Sequence, residues 1–178
     1  MPRLNVVDPD QATGKSKEIF DGLKKKMGRV VNIFKGMGNS PAALQAYLSM
    51  SGALAEGQLA PEDREAVYLA VSQQNGCSYC VSAHTVIAKR AGMTEDQILA
   101  IRKFQPQSDK LRALVKFVLR VMERKGFVDD ADIAAVRQAG YSDGQIAEAV
   151  AYIGLATYSN LFNHIFNTPL DFPEAPKL

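Results

Sequence analysis

The sequence lacks several features that would assign it to a large class of proteins. Its charges nearly balance, with a formal net charge of +2 over 178 residues, and its basic run from Lys24 to Lys26 is short. We therefore do not expect nucleic-acid binding. The longest weakly polar stretch, Ala147 to Ala156, is too short to cross a bilayer, and Met1 to Lys15 lacks the apolar core of a signal peptide. These absences predict a cytoplasmic protein with no nucleic-acid or membrane partner.

Strand patterns are also missing. No segment alternates β-branched and polar residues, whereas helical spacing and helix-capping residues recur from about Thr13 onward. With 47% hydrophobic and 22% charged residues, the composition is that of a globular protein. We predict one all-α domain over residues 1–178, with an extended tail from about residue 167. The predicted helices run from Ser40 to about Leu54, Pro61 to Gln74, Cys77 to Gly92, Thr94 to about Lys103, Asp109 to Arg124, Asp129 to Ala139 and Asp143 to about Phe166.

Two similar stretches indicate an internal helical repeat. The stretch "AGMTEDQI" begins at Ala91 and "AGYSDGQI" begins at Ala139, 48 residues later. Each combines a glycine that ends one helix with residues that cap the next. Two unrelated helix turns can share this capping chemistry, so the sequence leaves duplication and convergence both open.

Cysteine and histidine are scarce, with two of each, yet Cys77, Cys80 and His84 lie within a few residues of one another. Disulfides rarely persist in the cytosol, where a close cysteine pair is more often redox-active or metal-binding. On a helix, Cys80 and His84 share a face, and Cys77 lies one turn earlier at the N-terminus. An imidazole and unpaired helix N–H groups stabilise a thiolate, and the second thiol can trap an oxidised first one. The spacing therefore indicates a redox-active dithiol.

These residues have three other interpretations. A Cys-x-x-Cys-His haem site is excluded because Val81 follows Cys80. A zinc site could take Cys77, Cys80 and His84 as ligands, but His164 is the only histidine left to complete it. The third interpretation is two buried cysteines and a core histidine without chemistry. The sequence leaves the zinc and core interpretations open.

Glu65 is a further candidate site residue. It lies on the helix predicted from Pro61 to Gln74, where Ala66 to Val71 present apolar side chains in nearly every direction, so that helix is expected to be central. A buried carboxylate needs a partner, and His84 on the following helix can supply one. The alternative is a charge in the first helical turn that reaches solvent.

Glu65, then eleven residues, Cys77-Ser78-Tyr79-Cys80, three residues and His84 resemble the motif of the AhpD-like alkylhydroperoxidase and carboxymuconolactone decarboxylase superfamily, closest to its peroxidase-related branch. The resemblance extends from about Ala42 to Asn167. It implies an AhpD-like helical bundle that forms homo-oligomers, commonly trimers or hexamers. It also implies a thiol peroxidase that needs no cofactor, haem or metal, reduces a small hydroperoxide and is regenerated by a dithiol reductant that the sequence does not identify.

The same resemblance implies a role for each motif residue. Cys80 would be the peroxidatic cysteine, Cys77 the resolving cysteine, and His84 with Glu65 a proton relay. One position departs from the family's best-studied peroxidase, which has a histidine where this chain has Tyr79. Tyrosine can donate a hydrogen bond but is a poor base near neutral pH, so turnover is weaker or the electron donor differs. The superfamily's decarboxylases lack the cysteine pair.

The main alternative to a peroxidase is a non-catalytic helical assembly protein whose thiols bind zinc or sense oxidation. The apolar helices Asp109 to Arg124 and Asp143 to Phe166 predict a homo-oligomer, because one subunit has limited capacity to bury them. A polar cluster on the last helix either lines the pocket or caps an interface; it comprises Asn160, Asn163, His164 and Asn167.

Overall fold

The computed structural model describes residues 1–178, which form nine α-helices and no strands. The predicted all-α fold is therefore confirmed. None of the helices is both long and apolar enough to cross a membrane. In chain order the helices are α1 (Gly14–Met27), α2 (Asn32–Met37), α3 (Pro41–Ala55), α4 (Pro61–Gln74), α5 (Ser78–Arg90), α6 (Glu95–Arg102), α7 (Asp109–Glu123), α8 (Asp130–Gln138) and α9 (Asp143–Phe166).

The seven helices predicted from Ser40 onward are all present, with boundaries close to the predicted ones. Their starts follow from capping chemistry, since a hydroxyl or carboxylate before the helix accepts a hydrogen bond from an otherwise unpaired N–H. The hydroxyls that cap α3, α6, α7 and α9 in this way belong to Ser40, Thr94, Ser108 and Ser142. Helices α1 and α2 precede this region and carry no side-chain cap.

The two similar stretches occupy equivalent places in the fold. Helices α4 and α7 begin 48 residues apart, and α6 and α9 begin the same distance apart. The turns that follow α5 and α8 contain Gly92 and Gly140, with φ of 98° and 94°. Only glycine adopts this conformation without strain. Both halves therefore have the order helix, helix, glycine turn, capped helix.

Helix α4 lies at the centre of the larger hydrophobic core. It packs against α5, α6, α7 and α9, and every residue from Glu65 to Ser72 is buried. Such a helix has no solvent face, as expected from the apolar stretch Ala66 to Val71. Any charged side chain in this stretch must find its partner inside the protein.

A second hydrophobic cluster connects α1, α2 and α3 to the start of α5. Its buried members include Phe20, Met37 and Leu44 on one side and Cys77 and Cys80 on the other. The removal of this apolar surface from water holds the N-terminal helices against the cysteine pair. Helices α1 to α3 thus cover the thiols.

The C-terminal segment, residues 168–178, has no helix and runs back along α5 and the start of α2. The Asn32 backbone N–H donates to Oδ2 of Asp171 at 2.9 Å. The Ala175 backbone N–H donates to Oγ of Ser82 at 3.0 Å. These long-range bonds fix the C-terminal segment beside the helix that carries the cysteines.

Candidate active site

The two cysteines are buried, unbonded and in direct contact at the N-terminus of α5. Cys77 is the N-cap residue, and its sulfur accepts a hydrogen bond from the Cys80 backbone N–H at 3.3 Å. The two sulfur atoms lie 2.6 Å apart. Only a small movement separates this arrangement from the ~2.05 Å of a disulfide bond. The two sulfur atoms are therefore close enough for a disulfide to form without a large rearrangement.

Glu65 and His84 form a largely buried pair between α4 and α5. Oε2 of Glu65 lies 2.8 Å from Nδ1 of His84, and the two side chains are only 10% and 12% exposed. The ring of Tyr68 stacks on the imidazole, with 3.9 Å between ring centroids and 15° between planes. Glu65 is thus an internal partner of His84 rather than a charge in solvent. The carboxylate and the stacked ring together fix the orientation of the imidazole.

The electrostatics of the site favour a thiolate on Cys80. The hydrogen bond from Cys77, followed by the charge of His84 and hydrogen bonds from two asparagine side chains, lowers the pKa of Cys80 to about 6 although burial opposes this. The hydrogen bond to Cys80, together with burial, raises the pKa of Cys77. Burial lowers the pKa of His84, but the charge and hydrogen bond of Glu65 outweigh it and raise the pKa above its ordinary value. Cys80 is therefore the thiol that loses its proton first.

A cavity of about 370 Å³ opens beside the pair, and its lining includes Glu65, Cys80 and His84 but not Cys77. Fifteen of the 23 lining residues are hydrophobic, which favours an apolar ligand. The aromatic part of the wall consists of Phe34, Tyr47, Tyr68, Tyr79, Tyr152 and Phe172. A ligand in this cavity reaches Cys80, while Cys77 lies behind it.

Tyr79, the position that departs from the family pattern, does not bond to the Glu65–His84 pair. Its hydroxyl donates to Oδ1 of Asp171 at 2.8 Å, and its ring contacts Phe172 edge to face. Burial and the bond to Asp171 raise the pKa of Tyr79. Tyr79 therefore holds the C-terminal segment over the cavity. The sequence offered no signal for this contact beyond the tyrosine itself.

The polar cluster on α9 separates into two pairs. Asn160 and Asn163 are buried, and Nδ2 of Asn163 donates to the Cys80 sulfur at 3.1 Å. His164 and Asn167 are exposed, and Nδ2 of Asn167 donates to the Met1 carbonyl. The sequence indicated that these residues share a helix, but not which of them point towards the thiols.

The structure contains no group of three or more His, Cys, Asp or Glu side chains that could hold a metal ion. A tetrahedral zinc site on the cysteines requires further donors, and His164 is exposed on α9. The donor set around Cys77 and Cys80 consists instead of a thiol, an asparagine amide and backbone N–H groups. These groups suit a thiolate better than a metal ion.

The arrangement of the nine helices places the chain in the class of AhpD-like all-α folds. Residues 41–105 match the Carboxymuconolactone decarboxylase family. The matched segment contains Glu65, Cys77, Cys80 and His84. The resemblance to the AhpD-like alkylhydroperoxidase and carboxymuconolactone decarboxylase superfamily is therefore confirmed.

Individual relatives agree with this class. The protein YdfG of Bacillus subtilis (strain 168) is 29% identical over 62 residues, which make up 35% of this chain and less than half, 42%, of that protein. The AhpD core structure of a peroxidase-related protein from Ralstonia eutropha JMP134 is similar over 96% of this chain and 92% of that chain, with a TM-score of 0.87 and 23% identity. The debrominase Bmp8, in complex with 2,3,4-tribromopyrrole, is similar over 96% of this chain and 94% of that chain, with a TM-score of 0.78 and 20% identity. The likenesses to the two solved structures establish the fold.

Proposed function

We propose that the chain is a thiol-dependent peroxidase of the alkylhydroperoxidase type, which reduces small organic hydroperoxides through a Cys77/Cys80 disulfide cycle. The observation that carries this proposal is the position of Cys80. Cys80 is a lining residue of the cavity, its sulfur lies 2.6 Å from the Cys77 sulfur, and it is the cysteine whose thiolate the site stabilises. A thiolate at the wall of a cavity, with a resolving thiol beside it, suits two-electron reduction of a ligand bound there.

The chemistry requires two steps. The Cys80 thiolate attacks the outer oxygen of the hydroperoxide, the O–O bond breaks, Cys80 becomes a sulfenic acid, and the alkoxide takes a proton from the His84 imidazolium to leave as an alcohol. The Cys77 thiol then attacks the Cys80 sulfur, a disulfide forms and water leaves. The substrate gains the two electrons that the two thiols lose. An external dithiol returns the disulfide to thiols by exchange.

Glu65 acts in this scheme through His84. The carboxylate favours the imidazolium and holds its ring, so the cation that stabilises the Cys80 thiolate is present near neutral pH. A carboxylate behind a histidine has the same positioning role in other nucleophilic sites. Glu65 is therefore a positioning residue, and His84 is the proton donor.

Thiol titration during a single turnover tests the proposal. The reduced protein has two thiols per chain, and one equivalent of cumene hydroperoxide should remove both while producing one equivalent of the alcohol. The intact mass should then fall by about 2 Da, because a disulfide contains two hydrogens fewer than two thiols. A protein that keeps both thiols, or gains oxygen without forming a disulfide, would contradict the cycle.

Reductive dehalogenation is a second candidate, because the aromatic cavity wall next to Cys80 suits a flat, apolar ring. The Cys80 thiolate would take a halogen from a ring carbon, and a proton would replace the halogen on that carbon. The Cys77 thiol would then attack the Cys80 sulfur, so that halide leaves and the same disulfide forms. The similarity to Bmp8 supports this reading only at the level of the fold. Incubation of the reduced protein with 2,3,4-tribromopyrrole distinguishes the reactions: bromide release without hydroperoxide turnover favours dehalogenation.

We also propose that the chain forms a homo-oligomer. Helix α7 buries its apolar face in the core, but α9 leaves Val150, Tyr158, Leu161 and Ile165 between 39% and 59% exposed. Their spacing keeps them on one face, which a second copy of this chain can cover.

Sedimentation velocity at micromolar concentration should therefore give a mass that is a multiple of 19.4 kDa. Leu161→Glu should shift the protein towards the monomer, because it introduces a charge into the buried face. Lys177→Glu, in the C-terminal segment, serves as the control and should not. A wild-type protein that sediments as a monomer would rule the proposal out.

A further inference from the structure

The hydrogen-bond donors around the cysteine pair are divided unequally between the two sulfur atoms. The backbone N–H of Cys80 at the start of α5 points to the sulfur of Cys77, at 3.3 Å, not to the sulfur of its own side chain. A helix N-terminus stabilises negative charge through such donors, so this bond by itself favours a thiolate on Cys77. Groups other than the helix N-terminus must therefore favour a thiolate on Cys80.

We propose that Asn163 is one of these groups: beside the Cys77 thiol and the His84 imidazolium, its side-chain amide stabilises the Cys80 thiolate and helps to select Cys80 over Cys77 as the attacking thiol. Nδ2 of Asn163 lies 3.1 Å from the Cys80 sulfur and 3.9 Å from the Cys77 sulfur. The residue is 4% exposed, so water does not compete for the amide. Asn163 contacts the sulfur that reacts in the proposed peroxidase cycle, and its role as a catalytic residue rests on that proposed function.

The orientation of the amide is set from outside the helix. Oγ1 of Thr168 donates to Oδ1 of Asn163 at 2.5 Å. Between them Asn167 ends α9 in a left-handed conformation, with φ of 54°, which turns the chain so that Thr168 returns to the last turn. With its oxygen occupied by Thr168, the amide presents its N–H groups to the sulfurs.

An amide suits this role because it does not titrate. The titratable groups around Cys80 include Cys77, the N-cap of α5, and His84 on α5, with Glu65 and Tyr68 of α4 against the imidazole. They also include Tyr47 on α3 and Tyr79 on α5, whose hydroxyl is bonded to Asp171 of the C-terminal segment. Burial raises the pKa of Tyr47 and Tyr79, so neither ionises near neutral pH. The charge of His84 disappears as pH rises, whereas the Asn163 donor persists at every pH. The shift that an Asn163 variant produces in the pH profile of Cys80, with His84 and Glu65 unchanged, therefore reports the loss of the amide.

The test measures the rate of iodoacetamide alkylation against pH, with the modified cysteine identified by peptide mass spectrometry. Asn163→Leu has a similar size and no donor, and it should raise the midpoint for Cys80 by about one pH unit, slow alkylation at pH 6 about fivefold, and increase the share of label on Cys77. Asn163→Asp, which adds a negative charge beside the sulfur, should raise the midpoint at least as far.

His164→Gln is the matched control. It changes the exposed residue next to Asn163 on α9 and leaves the Asn163 amide, Asn160 and the buried contacts of the thiols in place. Its midpoint should equal that of the wild type. Thr168→Val keeps the amide but removes the group that orients it, and it should shift the midpoint in the same direction by a smaller amount.

A wild-type midpoint in a folded Asn163 variant overturns the assignment. If circular dichroism shows that neither Asn163 variant folds, a wild-type midpoint in Thr168→Val contradicts the assignment. Alkylation needs no hydroperoxide, so the two proposals fail separately. If the midpoints shift but the protein consumes no hydroperoxide, the peroxidase proposal is wrong and the role of Asn163 in stabilising the thiolate stands. If the midpoints are unchanged in a protein that reduces hydroperoxide, the role of Asn163 is wrong and the peroxidase proposal stands.

Discussion

Cys80→Ser is expected to reduce hydroperoxide consumption to the level of a protein without thiols. Cys80 lines the cavity, and the site stabilises its thiolate, whereas Cys77 lies behind it with a raised pKa. A serine hydroxyl in the same place is neither ionised near neutral pH nor able to form a sulfenic acid. The measurement is loss of cumene hydroperoxide in the presence of dithiothreitol.

Cys77→Ser should behave differently and provides the matched comparison. It keeps the attacking thiol but removes the resolving one, so one equivalent of hydroperoxide should leave one sulfenic acid per chain that dimedone traps on Cys80. Sulfenic acid on Cys77 of the Cys80→Ser protein, with hydroperoxide consumption retained, would reverse the assignment of the two cysteines.

Glu65→Gln is expected to leave the fold intact and to slow hydroperoxide reduction at pH 7 by about a hundredfold. The effect is large because the variant loses both the general acid, the His84 imidazolium, and its stabilisation of the Cys80 thiolate. Without the carboxylate, burial dominates and lowers the pKa of His84, so the imidazolium is lost near neutral pH. The Cys80 thiolate then loses a neighbouring positive charge, and its pKa rises. The alkylation midpoint of Cys80 should move up by about one pH unit.

The direction of the pH effect distinguishes this role from a structural one. In the wild type, alkylation of Cys80 is expected to increase as pH rises through its pKa of about 6, and in Glu65→Gln the same increase should occur at higher pH. Glu62→Gln is the control, since it removes an exposed charge from the same helix end. A changed melting temperature with an unmoved alkylation profile in Glu65→Gln would remove Glu65 from the site.

The sequence alone was sufficient to predict the helices from Ser40 onward. Their ends depend on interactions within a few residues, such as the capping box of Thr94 and Gln97 or the positive φ of Gly140. The same local geometry puts Cys77 and Cys80 at the start of α5, with His84 one turn further on. The catalytic roles of these residues stay predictions.

The surroundings of the thiols depend on the tertiary structure. Asn163 is 83 residues from Cys80 along the chain, and Asp171 is 92 residues from Tyr79. Neither contact leaves a periodic or capping signal, because each arises when α9 and the C-terminal segment pack against α4 and α5. Burial of apolar faces decides that packing, and the polar atoms it encloses then take the partners available. The sequence by itself thus determined the helices and the dithiol, while tertiary packing decided which cysteine faces the cavity and which side chains stabilise its thiolate.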